Sequence, residues 1–249
     1  MKAKNLIIKA SQAILGSVKE HKCAAIITAA GSSTRMGGVS KQLIELNGKR
    51  ILQYSIEAFC ACSEVKQIVI SAKKEEKELI ENIVREAGYQ TPIKVVCGGS
   101  SRQESVKNAF FAIDSSCDYV AIHDGARPMI KPEDISLLYK NAFKYGCATA
   151  GHAVSDTIKK LDKNGFISED VDRSELFAVQ TPQVFYCDIY RAALASAEKS
   201  KISVTDDNSL VTFAGFAIKL VDIHNKNLKI TTPEDLEIIS RALNKEEEK

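Results

Sequence analysis

Residues 29–41 read AAGSSTRMGGVSK, and how this stretch is read decides the fold. It follows a short apolar run at 24–27 (AAII), of the kind that forms a buried β-strand. A strand that empties into small residues lets the backbone approach a phosphate closely. Gly31, Ser32 and Ser33 can leave their N–H groups turned inward, and nests of amides bind anions. Two cations follow, Arg35 and Lys41. Amides backed by cations suit a polyphosphate and its stabilisation as it reacts. Small residues after a strand also make ordinary turns. GxxxxGK[ST] is absent, and Ser33 stands where GxGxxG needs its second glycine.

The neighbouring pattern favours the phosphate reading. Apolar residues at helical spacing fill 51–60 (Ile51, Leu52, Ile56, Phe59). Runs at 65–70, 93–97, 119–123 and 148–154 read as strands. Helices are predicted at 75–87, stopped by Gly88, at 105–113, and at 131–145 with Pro132 in the first turn. Strands separated by helices predict an α/β fold, a mostly parallel twisted sheet with helices on both faces. Ligands gather beyond the carboxyl ends of such strands. The residues found there are chemical ones: the Gly31 loop, Gly98-Gly99-Ser100-Ser101-Arg102 running to Ser105, His123-Asp124-Gly125-Ala126-Arg127-Pro128, and Ser155-Asp156-Thr157.

From about 157 to 180 the rhythm breaks. Asp162-Lys163-Asn164-Gly165 predicts a tight turn between two extended segments, hence a protruding β-hairpin arm. Such an arm serves dimerisation, acts as a lid, or is a plain surface hairpin. The chain returns through 178–185 and a helix at 188–199. Thr205-Asp206-Asp207 caps a short helix, 218–223 is a strand, and Thr232 with Pro233 opens the last helix. The tail from Lys245 is charged and expected to fray. With no linker or internal repeat, one domain is predicted over 23–245. An N-terminal extension, 1–22, precedes it, helical or frayed. Its apolar stretch is broken by Lys9, Ser11 and Gln12, which makes a poor secretory leader.

Composition bounds the function. The 249 residues are 45% hydrophobic and 27% charged, ordinary for a globular protein. A net charge of +2 gives no general case for nucleic acid or membrane binding, and no apolar run is long enough to span a bilayer. Seven cysteines without a CxxC spacing, most of them in apolar stretches, fit reduced thiols in a cytoplasmic protein. Asp124 after its strand either caps the next turn or faces the phosphate loop as a magnesium ligand. Gly98-Gly99 allows close approach of a base or ribose, or makes a left-handed turn. Lys229 is a solvated lysine or a third cation near the other loops.

Taken together, these motifs resemble one family in order: 29–41, Gly98-Gly99 with Arg102 and Ser105, His123 to Pro128, Asp156-Thr157, Val171-Asp172-Arg173, Gln180-Thr181-Pro182-Gln183, Thr205-Asp206-Asp207 and Asn227-Leu228-Lys229-Ile230-Thr231. The resemblance, from about Cys23 to Leu243, is to the 2-C-methyl-D-erythritol 4-phosphate cytidylyltransferases of the non-mevalonate isoprenoid pathway. It implies a single-domain Rossmann-like nucleotidyltransferase fold and transfer of CMP from CTP to methylerythritol phosphate, with Mg²⁺. It implies that Ala29, Ala30, Gly31, Gly99, Ser100 and Ser105 hold the cytidine and its loop. Arg35 and Lys41 would grip the triphosphate, and Asp124 would contact magnesium and ribose. Arg127, Thr157, Arg173 and Lys229 would hold the acceptor, with Arg173 and Lys229 also counted as catalytic. Part of that pocket would come from the arm of a second subunit in a homodimer.

The sequence departs from the pattern at a few positions. Ser40 stands where proline commonly precedes the lysine, Gly125 where alanine is common, and Leu228 where isoleucine is usual. Asn227 is a candidate to assist the metal. A sister activity, cytidylyl transfer to ribitol 5-phosphate, shares several of these motifs; Asp206-Asp207 and Val171-Asp172-Arg173 weigh against it. A non-catalytic nucleotide-binding module on the same fold is opposed by the joint presence of Arg35, Lys41, Asp124 and Lys229.

Overall fold

The structure, a computed structural model, describes residues 20–31, 40–223 and 227–247. Most of the expected 1–22 extension and Arg35 of the glycine-rich loop lie outside these residues. The chain forms β1 (Cys23–Thr28), β2 (Glu45–Leu46), β3 (Lys49–Arg50), α1 (Ile51–Cys60), β4 (Val65–Ala72), α2 (Lys77–Ala87), β5 (Ile93–Cys97), α3 (Arg102–Phe110), β6 (Tyr119–Asp124), α4 (Pro132–Tyr145) and β7 (Cys147–Ala153). It continues through β8 (Lys159–Leu161), β9 (Ile167–Asp170), β10 (Phe177–Tyr186), α5 (Cys187–Ser200), α6 (Asp207–Phe213), β11 (Lys219–Asp222) and α7 (Pro233–Glu247).

Seven strands make one sheet in the order β11-β7-β10-β6-β1-β4-β5. All its pairings are parallel except those of β10, which runs antiparallel to both β6 and β7. Side chains alternate across it, as the pleat requires. Ala25, Ile27, Ile68, Ile70 and Ala121 pack with Leu52 and Ile56 of α1, Ile80 of α2 and Leu138 of α4. Ile26, Val69, Val120 and Ile122 face the other way, onto Val106 of α3, Tyr190 of α5 and Leu210 of α6. Both faces are thus covered, which is why β1 and β6 read as unbroken apolar runs.

Local chemistry sets the boundaries. Ser101 accepts a hydrogen bond from the Glu104 N–H at 3.1 Å, so α3 begins at Arg102, and Ser105 lies in its first turn. Gly88 ends α2 at φ 64°, a left-handed cap suited to glycine. The arm is a separate two-stranded sheet, β8 and β9, every residue of which is exposed. Asp162 fixes its turn by accepting the N–H groups of Asn164 and Phe166, each at 2.9 Å. At the other end of the chain α7 carries on to Glu247, past the fraying point expected at Lys245.

Candidate active site

The carboxyl ends of β1, β5 and β6 surround a cavity of about 330 Å³. Ala30, Gly31, Lys41, Gly99, Ser100, Ser105, Asp124 and Lys229, all expected from the sequence, line it. Arg102 and Gln42 line it as well and were not among the expected site residues. The residues come from four separate parts of the chain, brought together because β1 pairs with β6 on one side and β4 on the other.

Asp124 is the only carboxylate among the described lining residues, and its side chain is 11% exposed. Lys229 Nζ donates to its Oδ2 at 2.7 Å, and Arg127 Nε stands 3.8 Å from the same oxygen. Oδ1 has looser company: Thr28 Oγ1 at 3.4 Å and an Arg102 guanidinium nitrogen at 3.7 Å. Burial disfavours the Asp124 charge, but Lys229, Arg102 and Arg127 more than offset it and hold its pKa well below the carboxylate range.

A buried network carries this carboxylate. The Asp124 N–H donates to Thr181 Oγ1 at 3.1 Å. That leaves the Thr181 hydroxyl to donate to His123 Nδ1, 3.2 Å away, and His123 Nε2–H to donate to the Arg127 carbonyl at 3.1 Å. Burial drives the His123 pKa down to about 4, so the neutral ring this chain of donors requires is the stable one. Asn227, fully buried, donates to the Thr181 carbonyl at 2.6 Å and accepts Arg127 through its own carbonyl at 2.7 Å. It therefore braces Arg127 from outside the cavity lining.

Arg102 is fixed from behind. Its NH1 donates to Asp207 Oδ2 at 2.6 Å, and Tyr190 donates to Oδ1 of the same buried carboxylate at 2.6 Å. Burial, then Asp207, raise the Tyr190 pKa well above its usual value, so the phenol stays a donor. Asp206 is the residue that caps α6, accepting the Ser209 N–H at 2.9 Å. Two consecutive aspartates at a helix start, of which only one can cap, was the signal for this second role.

The Gly99–Ser105 side of the cavity is a shaped loop. Ser105 Oγ accepts the Gly99 N–H at 2.9 Å and donates to the Ser101 carbonyl at 2.8 Å. Neither Gly98 nor Gly99 is left-handed; the constraint is space. A Cβ on Gly98 would lie 2.6 Å from Ala30 Cβ and 2.8 Å from Ser105 Oγ. Gly31 has room for a Cβ against the described protein atoms, whose nearest is Gln42 Nε2 at 3.8 Å. A Cβ on Gly125 would press on Leu52 and the Thr28 carbonyl at 3.0 Å, which accounts for glycine at that position.

Four expected site residues are placed otherwise. Ala29 is buried and gives its N–H to Ser71, so it supports the loop without lining the cavity. Arg127 lies beneath the cavity, its side chain 12% exposed. Thr157 and Arg173 are exposed at the base of the arm, where Arg173 donates to the Ser155 carbonyl, and neither lines the cavity within this chain.

Comparison with known proteins agrees with this geometry. The family described as 2-C-methyl-D-erythritol 4-phosphate cytidylyltransferase matches residues 23–245. A protein of that name from Caldanaerobacter subterraneus is 43% identical over 223 residues, 89% of this chain and 98% of the relative. A chloroplastic one from Oryza sativa is 33% identical, covering 92% of this chain and 76% of its own length. Among solved structures, a 4-diphosphocytidyl-2C-methyl-D-erythritol synthase from Anaerococcus prevotii superposes with a TM-score of 0.82 at 27% identity, over 91% of this chain and all of that one.

Proposed function

This chain belongs to the 2-C-methyl-D-erythritol 4-phosphate cytidylyltransferase family, and from that premise we propose that it transfers CMP from CTP to 2-C-methyl-D-erythritol 4-phosphate. The products are 4-diphosphocytidyl-2-C-methyl-D-erythritol and pyrophosphate. The observation that carries the reading is the cavity lined by Lys41, Arg102 and Lys229, the last two beside Asp124, and by the Gly99–Ser105 loop.

A phosphate oxygen of the acceptor attacks the α-phosphorus of CTP in line. The bond from that phosphorus to the bridging oxygen breaks, and pyrophosphate leaves. The attacking phosphate is ionised at neutral pH, so no general base is needed; repulsion and misorientation make up the barrier. Lys41 answers the charge on the triphosphate, with Arg35, and Lys229 answers that of the acceptor. Ser100, Ser105 and Gly99 present the loop against which the base lies. His123, neutral and buried, fixes the Arg127 carbonyl and takes no part in proton transfer.

Mg²⁺ fits this donor set. No described cluster of three or more acidic, histidine or cysteine side chains is placed to hold an ion. Mg²⁺ commonly needs only one or two carboxylates, with substrate phosphates and water completing the shell. Asp124 Oδ1, with no partner closer than 3.4 Å among the described residues, is the oxygen suited to it. Such an ion would neutralise phosphate charge as the transition state forms.

Thr157 and Arg173 reach an acceptor most directly if the arm enters the cavity of a second copy. Leu161, Phe166 and Ile167 give the arm exposed apolar surface for that pairing. No described helix is long and apolar enough to cross a membrane, and the enzyme is proposed to work in the cytoplasm.

Pyrophosphate release tests the reading, with purified protein, Mg²⁺ and CTP, and with methylerythritol phosphate and ribitol 5-phosphate offered separately. Turnover with the first alone is expected. Turnover with ribitol 5-phosphate alone would overturn the acceptor, and CTP binding without turnover of either would overturn the transferase reading.

A further inference from the structure

Lys41 opens a one-turn 3-10 helix, Lys41–Leu43, and the residue before it behaves unusually. Ser40 sits at the N-cap, where a serine ordinarily turns its hydroxyl onto the first free N–H groups of the helix. Ser40 makes no such bond. Its hydroxyl donates instead to Glu76 Oε1 and accepts from Lys73 Nζ at 2.7 Å. Lys73 and Glu76 are paired with each other at 3.0 Å, and their side chains are only 18% and 15% exposed. The three groups close a sheltered triangle between the start of the Lys41 turn and the segment that leads from β4 into α2.

The backbone of Ser40 lies at φ −68° and ψ 100°. That φ is the one a pyrrolidine ring would impose. We infer that Ser40, Glu76 and Lys73 form a clasp that positions Lys41, doing through side chains what a ring would do covalently. These are positioning residues: none lines the cavity, while Lys41 does. The inference rests on the reading that Lys41 grips the triphosphate. Its chemical sense is that a cation stabilises a transition state only from the right place, and displacement by about 1 Å can cost up to about 10²-fold in rate.

Glu76→Gln, Ser40→Ala, Ser40→Pro and the double variant Ser40→Pro/Glu76→Gln test it by pyrophosphate release at saturating CTP and acceptor, beside Lys41→Ala. Glu76→Gln and Ser40→Ala should each lower kcat about tenfold, with KM for the acceptor held within about twofold. Ser40→Pro should keep the parental kcat and make the enzyme indifferent to Glu76→Gln, so the double variant should match Ser40→Pro. A merely structural Glu76 would lower the double variant as much as the single one, and that result overturns the clasp. So does a parental kcat in Glu76→Gln beside a disabled Lys41→Ala. A Lys41→Ala enzyme at parental kcat would instead remove the underlying role of Lys41, and the clasp with it.

Discussion

Replacing Asp124 with asparagine keeps the shape of the site and removes the negative charge that Lys229, Arg127 and Arg102 share. The cost is set by which cation can return to water. The Lys229 side chain is 38% exposed and can rehydrate, so its pair contributes little, of the order of 0–1 kcal/mol. Arg127 has no such escape. Its side chain is 12% exposed; NH1 rests on the Asn227 carbonyl, the buried Nε finds no hydrogen bond among the described residues, and Asp124 at 3.8 Å is its charge partner. Removing one partner of a buried pair costs about 3–5 kcal/mol. With a urea dependence of about 1–3 kcal/mol per M, the unfolding midpoint should drop by at least about 1 M. Adding Arg127→Met to Asp124→Asn should restore roughly half of the loss, because the stranded cation is gone. Arg127→Met alone should cost less than Asp124→Asn, since Lys229 and Arg102 still hold the carboxylate. Urea unfolding followed by circular dichroism reads all three. A midpoint for Asp124→Asn within about 0.3 M of the parent would refute the reasoning, whatever happens to activity.

Other consequences can be measured with the same protein. Lys41→Ala should lower kcat by about 10²–10³ and change KM for either substrate far less, read from steady-state pyrophosphate release. His123 has a folded pKa near 4, below its ordinary 6.5, so the unfolded chain binds the proton more readily. Its contribution to stability is full above about pH 6.5 and is lost as pH falls toward 4, at up to about 1.4 kcal/mol per pH unit. Urea midpoints across that window should show the slope, and His123→Gln should flatten it. If the arm completes the site of a second copy, mixing inactive Lys41→Ala with inactive Arg173→Ala should restore part of the activity; a mixture no better than its components would place Arg173 in its own chain's site.

The strands that carry the site could be read closely from the sequence. The apolar runs at 93–97 and 51–60 coincide with β5 and α1, because burial on both faces or one face leaves a plain periodicity. The loops after β1, β5 and β6 were legible for the same reason: small and charged residues interrupt apolar runs. What could not be read was placement set by distant pairing. Nothing local reveals that β10 inserts antiparallel between β6 and β7, yet that insertion delivers Thr181 to His123 and Asp124. The Tyr190–Asp207–Arg102 brace has the same character. Its members are far apart in the chain, and each alone fits a helix of ordinary composition.

The cage around Asp124 also shapes how reactants arrive. The chain as a whole carries +2, too little to draw in polyanions at large. Lys41, Lys229 and Arg102 concentrate positive charge along one concave wall, with Arg127 beneath it, against Asp124 and Asp207. A recess walled by low-dielectric protein focuses such a field, and small polyanions are guided to it. The encounter rate for the nucleotide should therefore fall steeply with ionic strength. The step that follows, shielded from bulk counterions, should scarcely notice the salt.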